Sequence, residues 1–390
     1  MNFTNPYNDD EKKENGVYYT PEDISLLMSL RSKLFDDGKG IWLDPCCGLG
    51  VLAITLASIQ DDPVEFIQNR LVINEKDERQ LKIALSNFQE KFGVMPRHFN
   101  EDFLEYDFNI DYIIMNPPYF QYKDSDIYAY FIEKACKTTK GFITINPTSF
   151  TNGTKFNKTR RLLLGYPSLT TYHFDNIPGK IFEDAKVRVS IIVAHQVGEE
   201  RKTTGQIRWK SKLRKNMIES LDTNLSDTIF NEKVFYKTFP NTVQYIHDGE
   251  KLEDYLVPNS EFPLFVSNSP RYFISASSQI MDRKGQIKIY LKDSDAFKKA
   301  LIMLNSSYLY WWWKTCDSSL SLTKKTLISL PWIDFKYDEK IIDVILNSEQ
   351  MNKVYKKNAG KLQENIKHPK ELIFNLNSLF LNDGFIKLHD

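Results

Sequence analysis

Between residues 40 and about 195, short apolar runs alternate with helix-like stretches, and this alternation leaves few folds open. Residues 40–44 read as a strand entering a glycine-containing loop, 51–59 as a helix, 71–75 as the next strand and 77–91 as an amphipathic helix. Residues 111–115 read as a fully buried strand, 128–138 as a helix, 141–145 as another strand, and 187–194 close the series. Strands separated by helices predict an α/β fold, a doubly wound Rossmann-like sheet. In such a sheet, ligands bind beyond the carboxyl ends of the strands. After about residue 200 the pattern is lost. Residues 200–270 are polar with short strand-like pieces, 294–332 hold the aromatic knot Tyr308-Leu309-Tyr310-Trp311-Trp312-Trp313, and the C-terminal stretch reads as helical. The predicted division is a first domain over 1–210 and a mixed α+β second domain over 211–390.

Length allows this: 390 residues suffice for two cores. No apolar run approaches the ~20 residues of a membrane helix, so no membrane partner is expected. The N-terminus is polar and lacks the apolar stretch of a secretory signal. Four cysteines without a C-x-x-C pair do not make a disulfide framework, which suits a reducing, cytoplasmic setting. The six histidines show no ligand spacing, so no metal is expected. The net charge of zero conceals an uneven distribution. Residues 1–136 hold 13 basic and 24 acidic side chains, and residues 137–215 hold 16 basic and 5 acidic. The basic stretch includes Lys155, Lys158, Arg160, Arg161, Arg208, Lys210, Lys212, Arg214 and Lys215. Such a segment is either a solvated face or a surface for phosphates.

The sharpest local signal is Asn116-Pro117-Pro118-Tyr119, directly after a strand. An adenine amine is a poor nucleophile because its lone pair is delocalised into the ring. The Asn116 side-chain oxygen and the Pro117 carbonyl can each accept one of its N–H bonds and localise that lone pair. Two prolines preorganise the acceptors, and Tyr119 can stack on a base turned out of a duplex. Alone, the tetrapeptide is also a rigid turn. Its context is the loop Asp44-Pro45-Cys46-Cys47-Gly48-Leu49-Gly50, where glycines let backbone approach a ligand. The loop departs from G-x-G-x-x-G, which argues against a nicotinamide cofactor. Asp44 suits the amino group of a methionine moiety. Glu75, at the end of the second strand, suits ribose hydroxyls. Asp102 suits an adenine amine, and Phe103 its ring. Thr20 is expected to cap a helix with Pro21 in its first turn, and also to reach a methionine carboxylate.

The order Tyr-Thr-Pro at 19–21, D-P-x-x-G-x-G, Glu75, Asp102-Phe103 and N-P-P-Y resembles the gamma-class DNA adenine-N6 methyltransferases of type II restriction–modification systems. The resemblance covers about residues 16–210, and more weakly 304–331; residues 215–300 match nothing securely. It implies S-adenosylmethionine as cofactor, held by Thr20, Asp44, Pro45, Cys46, Gly48, Gly50, Glu75, Asp102, Phe103, Asn116 and Phe131. It implies Asn116, Pro117 and Tyr119 as catalytic residues, with Pro118, Tyr119 and Phe182 around the target base. Lys155, Lys158, Arg160, Arg161 and Lys186 become candidates for the DNA backbone. The implied partners are double-stranded DNA, lying between a catalytic and a target-recognition domain, and a cognate restriction endonuclease acting separately. No fused nuclease is expected ahead of the first motif.

Other readings compete. Pro45-Cys46 is similar to the Pro-Cys nucleophile of cytosine-C5 methyltransferases, but its place in the glycine loop marks Cys46 as a cofactor-loop residue. Asp184-Ala185-Lys186 has the spacing of a nuclease metal site, a match common by chance. RNA adenine-N6 methylation and glutamine-N5 methylation of release factors use the same tetrapeptide chemistry. A DNA-binding specificity subunit accounts for residues 215–390 alone. The run of three tryptophans is more often core than a stacking platform.

Overall fold

A computed structural model describes residues 18–183, 187–228, 249–269, 274–316, 321–358 and 361–381. The chain divides into two compact units, residues 1–237 and 238–390.

The first unit is an α/β layer built on one nine-stranded sheet. Its strands are β1 (Trp42–Asp44), β2 (Leu71–Asn74), β3 (Arg97–Phe99), β4 (Tyr112–Met115), β5 (Gly141–Pro147), β6 (Ser168–Phe174), β7 (Val189–His195), β8 (Arg201–Ile207) and β9 (Leu225–Asp227). Their order across the sheet is β9-β8-β6-β7-β5-β4-β1-β2-β3. β3, β2, β1, β4 and β5 run parallel, while β7 runs antiparallel to both β5 and β6. Five helices connect the first half: α1 (Glu22–Arg31), α2 (Val51–Ser58), α3 (Pro63–Asn69), α4 (Glu78–Phe92) and α5 (Ile127–Thr138). Two more follow, α6 (Asn157–Leu163) and α7 (Arg214–Glu219).

The central strands are buried on both faces, as parallel strands covered by helices must be. Alternate residues feed separate cores: Trp42, Ile114 and Ile143 join one, and Leu43, Ile113 and Phe142 the other. Each such side chain contributes about 1.5–3 kcal/mol through burial. From β1 the chain first builds outward through β2 and β3, then returns to build β4 and β5 on the other side. The carboxyl ends of β1 and β4 therefore flank a topological switch point, where open α/β sheets form their ligand crevice.

The sheet continues beyond the expected last strand. β6 was not anticipated, and β8 and β9 add two strands after residue 200. β9 pairs with β8 through residues 225–227, so the first unit runs past the expected boundary at 210. β8 and β9 close one edge of the sheet with polar and charged sequences that give no apolar run, and β6, although buried between β7 and β8, is hidden by its Ser, Thr and His residues. Thr20 also departs from expectation. Pro21 stands at the N-cap of α1, with no side-chain cap.

The second unit is mixed α+β. It contains the antiparallel sheet β11-β10-β12, formed by β10 (Pro263–Ser267), β11 (Ala276–Ser277) and β12 (Gln286–Tyr290). A hairpin pairs β13 (Lys353–Asn358) with β14 (Lys361–Ile366). Its helices are α8 (Ser294–Asn305), α9 (Ser307–Cys316), α10 (Lys324–Ile328), α11 (Lys340–Met351) and α12 (Lys370–Ser378). Trp311, Trp312 and Trp313 are buried here as core. Among the described residues, no helix is long and apolar enough to cross a membrane.

Candidate active site

β1 ends at Asp44, and the chain turns through Pro45-Cys46-Cys47-Gly48-Leu49 to reach α2. Gly48 (φ +54°) and Gly50 (φ +87°) supply left-handed backbone that other residues rarely adopt. A Cβ on Gly48 would also lie 3.2 Å from the ring of Tyr19. Asn74, the last residue of β2, ties neighbouring loops together. Its Nδ2 donates to the carbonyls of Pro45 (2.9 Å) and Glu101 (3.0 Å), and its Oδ1 accepts from Glu101 N. Asn87 of α4 donates to Leu49 O.

These loops enclose a cavity of about 430 Å³ at the switch point. Thr20, Asp44, Pro45, Cys46, Gly48, Glu75, Asp102, Phe103, Asn116, Pro117, Pro118 and Phe131 all line it. Residues separated by over a hundred positions thus share one wall. Gly50, Tyr119 and Phe182 are not in the lining. Gly50 shapes the turn instead, where a Cβ would press on Ala84 and Ile54 at 3.3 Å.

Two buried carboxylates dominate the electrostatics. Asp44 is 1% exposed. Cys46 N donates a long 3.4 Å bond to Oδ1, the Ala53 backbone N–H adds a weak contribution, and Oδ2 has no hydrogen-bond partner among the described residues. Burial, reinforced by the nearby Glu75, pushes its pKa up to about 8. Glu75 is also raised by burial, although Gly48 N and Asp77 N donate to its two oxygens at 2.9 and 3.0 Å. An unpaired buried carboxylate is costly, so Asp44 is poised for a cationic donor. Burial, reinforced by the same acids, holds the Cys46 and Cys47 thiols well above the usual range. The Cys46 Sγ lies 3.4 Å from Asn116 O, so this thiol is a donor and not a thiolate nucleophile.

At the far end, Phe103 and Phe131 pack with ring centroids 4.9 Å apart. Asp102 beside them is already engaged: Lys76 Nζ donates to Oδ2 at 2.8 Å and Leu104 N to Oδ1 at 2.9 Å. Burial opposes ionisation of Asp102, but these two bonds outweigh it and hold its pKa below the usual value. Lys76 is mostly exposed, so this ion pair is weak and easily exchanged.

Asn116 directly follows β4. Its Nδ2 donates to Tyr18 O (2.6 Å) and Thr20 Oγ1 (3.1 Å). Its Oδ1 accepts from the Tyr119 hydroxyl at 2.8 Å, which also lies 3.0 Å from Ile145 O. Tyr18, Tyr119 and Phe182 form a triangle of rings with centroids 5.5–6.1 Å apart. The Tyr119 hydroxyl thus occupies Asn116 Oδ1.

The basic candidates fare less well. Arg160 is fully buried and donates to the carbonyls of Phe150 and Gly153 and to Asn157, so it pins a loop and cannot reach a phosphate. Lys155 pairs with Asp126 and Lys158 with Glu133. Arg208 pairs with Asp175, and Arg214 with Asp23. Arg161, Lys210 and Lys212 are exposed. Asp184, Ala185 and Lys186 lie outside the described residues.

Several cavity residues carried no sequence signal. Gln80 of α4 is buried and accepts from the Tyr19 hydroxyl at 2.8 Å. Tyr18, Lys76 and Ile127 also contribute. The position of Gln80, three residues into a capped amphipathic helix, was the one available hint.

Residues 2–140 match the model of a family described as N-6 DNA Methylase. No curated protein matches the chain. Solved structures similar to it include a DrdV–DNA complex, at 17% identity and TM-score 0.48, covering 57% of this chain and 31% of the other. The methyltransferase subunit of a type I restriction–modification system from Streptococcus thermophilus shares 16% identity at TM-score 0.43, covering 55% of each chain. The type ISP restriction–modification enzyme LlaGI with a DNA substrate mimic shares 13% identity at TM-score 0.48, covering 65% of this chain and 29% of the other. The chain thus spans between 29% and 55% of the length of these proteins.

Proposed function

We propose that this chain binds S-adenosylmethionine in the cavity at the switch point and transfers its methyl group to N6 of an adenine in double-stranded DNA. One observation carries the reading. A buried aspartate whose Oδ2 has no partner among the described residues and the Asn116-Pro117 pair line the same cavity. The match of residues 2–140 to the N-6 DNA Methylase family supports it independently.

The residues fit the cofactor's parts. Among the described residues, Asp44 Oδ2 is an acceptor without a donor, as an ammonium group requires. Glu75 Oε2 accepts from Gly48 N and Oε1 from Asp77 N, and a carboxylate oxygen so bonded keeps capacity for a hydroxyl. Phe103 and Phe131 offer apolar faces to a purine, with Asp102 beside them. When bound, the cofactor supplies an electrophilic methyl on a sulfonium. The protein's work is done by acceptors. Asn116 Oδ1 and the Pro117 carbonyl take the two N–H bonds of the target amine and turn its lone pair out of conjugation. The Tyr119 hydroxyl occupies Oδ1 in the structure, so the amine displaces it. The freed ring, with Phe182, then packs against the base. No thiolate takes part, since Cys46 stays protonated.

Within this reading, the motif order favours the gamma class of restriction–modification enzymes, working beside a separate endonuclease. The second unit is the proposed target-recognition part. The test is to offer labelled methyl donor in parallel with duplex DNA, structured RNA and a release factor. Label in duplex DNA is expected. Label confined to RNA or protein would replace the substrate while keeping the chemistry.

A further inference from the structure

The side chain of asparagine is nearly symmetric in shape, but its two ends do opposite things. One end accepts hydrogen bonds and the other donates. The proposed chemistry works only with Asn116 Oδ1 toward the target amine, so something must fix the rotation of that carboxamide. The structure shows what does. Tyr18 O, 2.6 Å from Nδ2, is a carbonyl and can only accept. Turning the amide over would set two acceptors against each other there, a partly buried conflict that costs more than a lost hydrogen bond. The second N–H is spent on Thr20 Oγ1 at 3.1 Å; a hydroxyl can accept or donate, so Tyr18 O selects the orientation and Thr20 keeps the selected amide in place. Both partners lie nearly a hundred residues earlier in the chain. Tyr19 between them is held across the cavity by its hydroxyl bond to Gln80.

Thr20 is 6% exposed and free of the capping role its sequence suggests, because Pro21 stands at the N-cap of α1. Its hydroxyl therefore faces Asn116 for another reason. We infer that Thr20 is a positioning residue for methyl transfer: through its hydroxyl it holds the Asn116 carboxamide with Oδ1 toward the target amine. This assignment rests on the proposed function and adds a task that Asn116 cannot perform alone.

The test compares Thr20→Val, which keeps the shape and loses the acceptor, with Thr20→Ser, which keeps the acceptor. Cofactor affinity is measured by calorimetry with S-adenosylmethionine. Single-turnover methylation is followed at saturating cofactor on plasmid DNA prepared from a host lacking adenine methylation. Thr20→Val is expected to slow transfer about tenfold, the factor one hydrogen bond commands, with cofactor affinity changed less than twofold. Thr20→Ser is expected to restore the rate. With asparagine-selective 15N labelling, the Asn116 side-chain amide peak, identified by its loss in Asn116→Ala, should shift in Thr20→Val and return in Thr20→Ser. This spectroscopic arm stands even if turnover of the valine variant is too low to follow. Should Thr20→Val not fold, Thr20→Ala is carried through the same measurements. A loss seen in cofactor affinity, or an unshifted Asn116 peak, would overturn the assignment and make Thr20 a cofactor ligand or a packing residue. A wild-type rate in Asn116→Ala would instead remove the proposed function, so the two failures are distinguishable.

Discussion

Asp44 and Glu349 are both carboxylates only 1% exposed, one in each unit, and burial raises the pKa of both. Their surroundings differ. Glu349 accepts from Ser278 N, Ser278 Oγ and Ser277 Oγ. Nearby, His368 uses both ring nitrogens, on Ser348 and Asn305, and Asn305 and Asn377 bond to Ala276 and Ser307. These polar groups in the second unit bond to one another and knit helices to sheet. Asp44 has only weak backbone donors, a long bond from Cys46 N and a contribution from Ala53, with no partner for Oδ2 among the described residues, and it borders a cavity. The contrast teaches that burial alone does not mark a functional carboxylate. An incomplete set of partners beside open space does, because folding leaves that cost to be met by a ligand.

The largest expected effect breaks the second unit alone. Trp311→Ala removes a buried indole and should destabilise that unit by about 3–5 kcal/mol, read in denaturant unfolding, while cofactor binding to the first unit persists. Loss of cofactor binding as well would show that the units are not separate in stability. Asn116→Ala should slow methyl transfer about 10²–10³-fold, by analogy with removing one preorganised polar group from an active site, with little change in cofactor affinity. Asp44→Asn keeps the shape and removes the charge, so it should weaken cofactor binding about 10- to 100-fold, the range of a charged hydrogen bond. Glu349→Gln should lower stability without touching cofactor affinity. If both substitutions act alike, the contrast fails.

The smallest effect is in pH. The raised pKa of Asp44 means its contribution to ligand-free stability is full below about 4 and is lost as pH rises toward 8. Cofactor binding needs the carboxylate. Affinity should therefore rise with pH up to about 8 and then level, by less in total than the loss in Asp44→Asn, because the protonated acid keeps the shape of the amide, and Asp44→Asn should flatten that rise. His368 runs the other way. Burial lowers its pKa to about 4, so its contribution is full above about 6.5 and fades as pH falls toward 4. Unfolding of the two units between pH 4 and 6.5 should carry these opposite slopes.

Much of the site was legible because strand ends are legible. Asp44, Glu75 and Asn116 each stand at or just after a short apolar run, and parallel pairing brings those ends together whatever lies between. Gly48 and Gly50 were readable because their backbone admits few other residues. The losses have physical causes too. β8 and β9 lie at one edge of the sheet, where polar and charged residues replace the apolar signal, and the interior β6 buries Ser, Thr and His that break its apolar run. Arg160 looked like one member of a basic surface, and only packing shows that three backbone and side-chain acceptors have taken it inside. Thr20 looked like a cap because helix starts favour threonine; its partner 96 residues away is invisible to any local pattern. Gln80 and Tyr18 enter the site through tertiary contact alone.

The most direct test of the account is nucleoside mass spectrometry of duplex DNA after a single turnover with S-adenosylmethionine, for the native chain and for Asn116→Ala. The account predicts N6-methyldeoxyadenosine from the native chain and almost none from the variant in the same interval. Methyl groups on cytosine, or equal yields from both proteins, would contradict it.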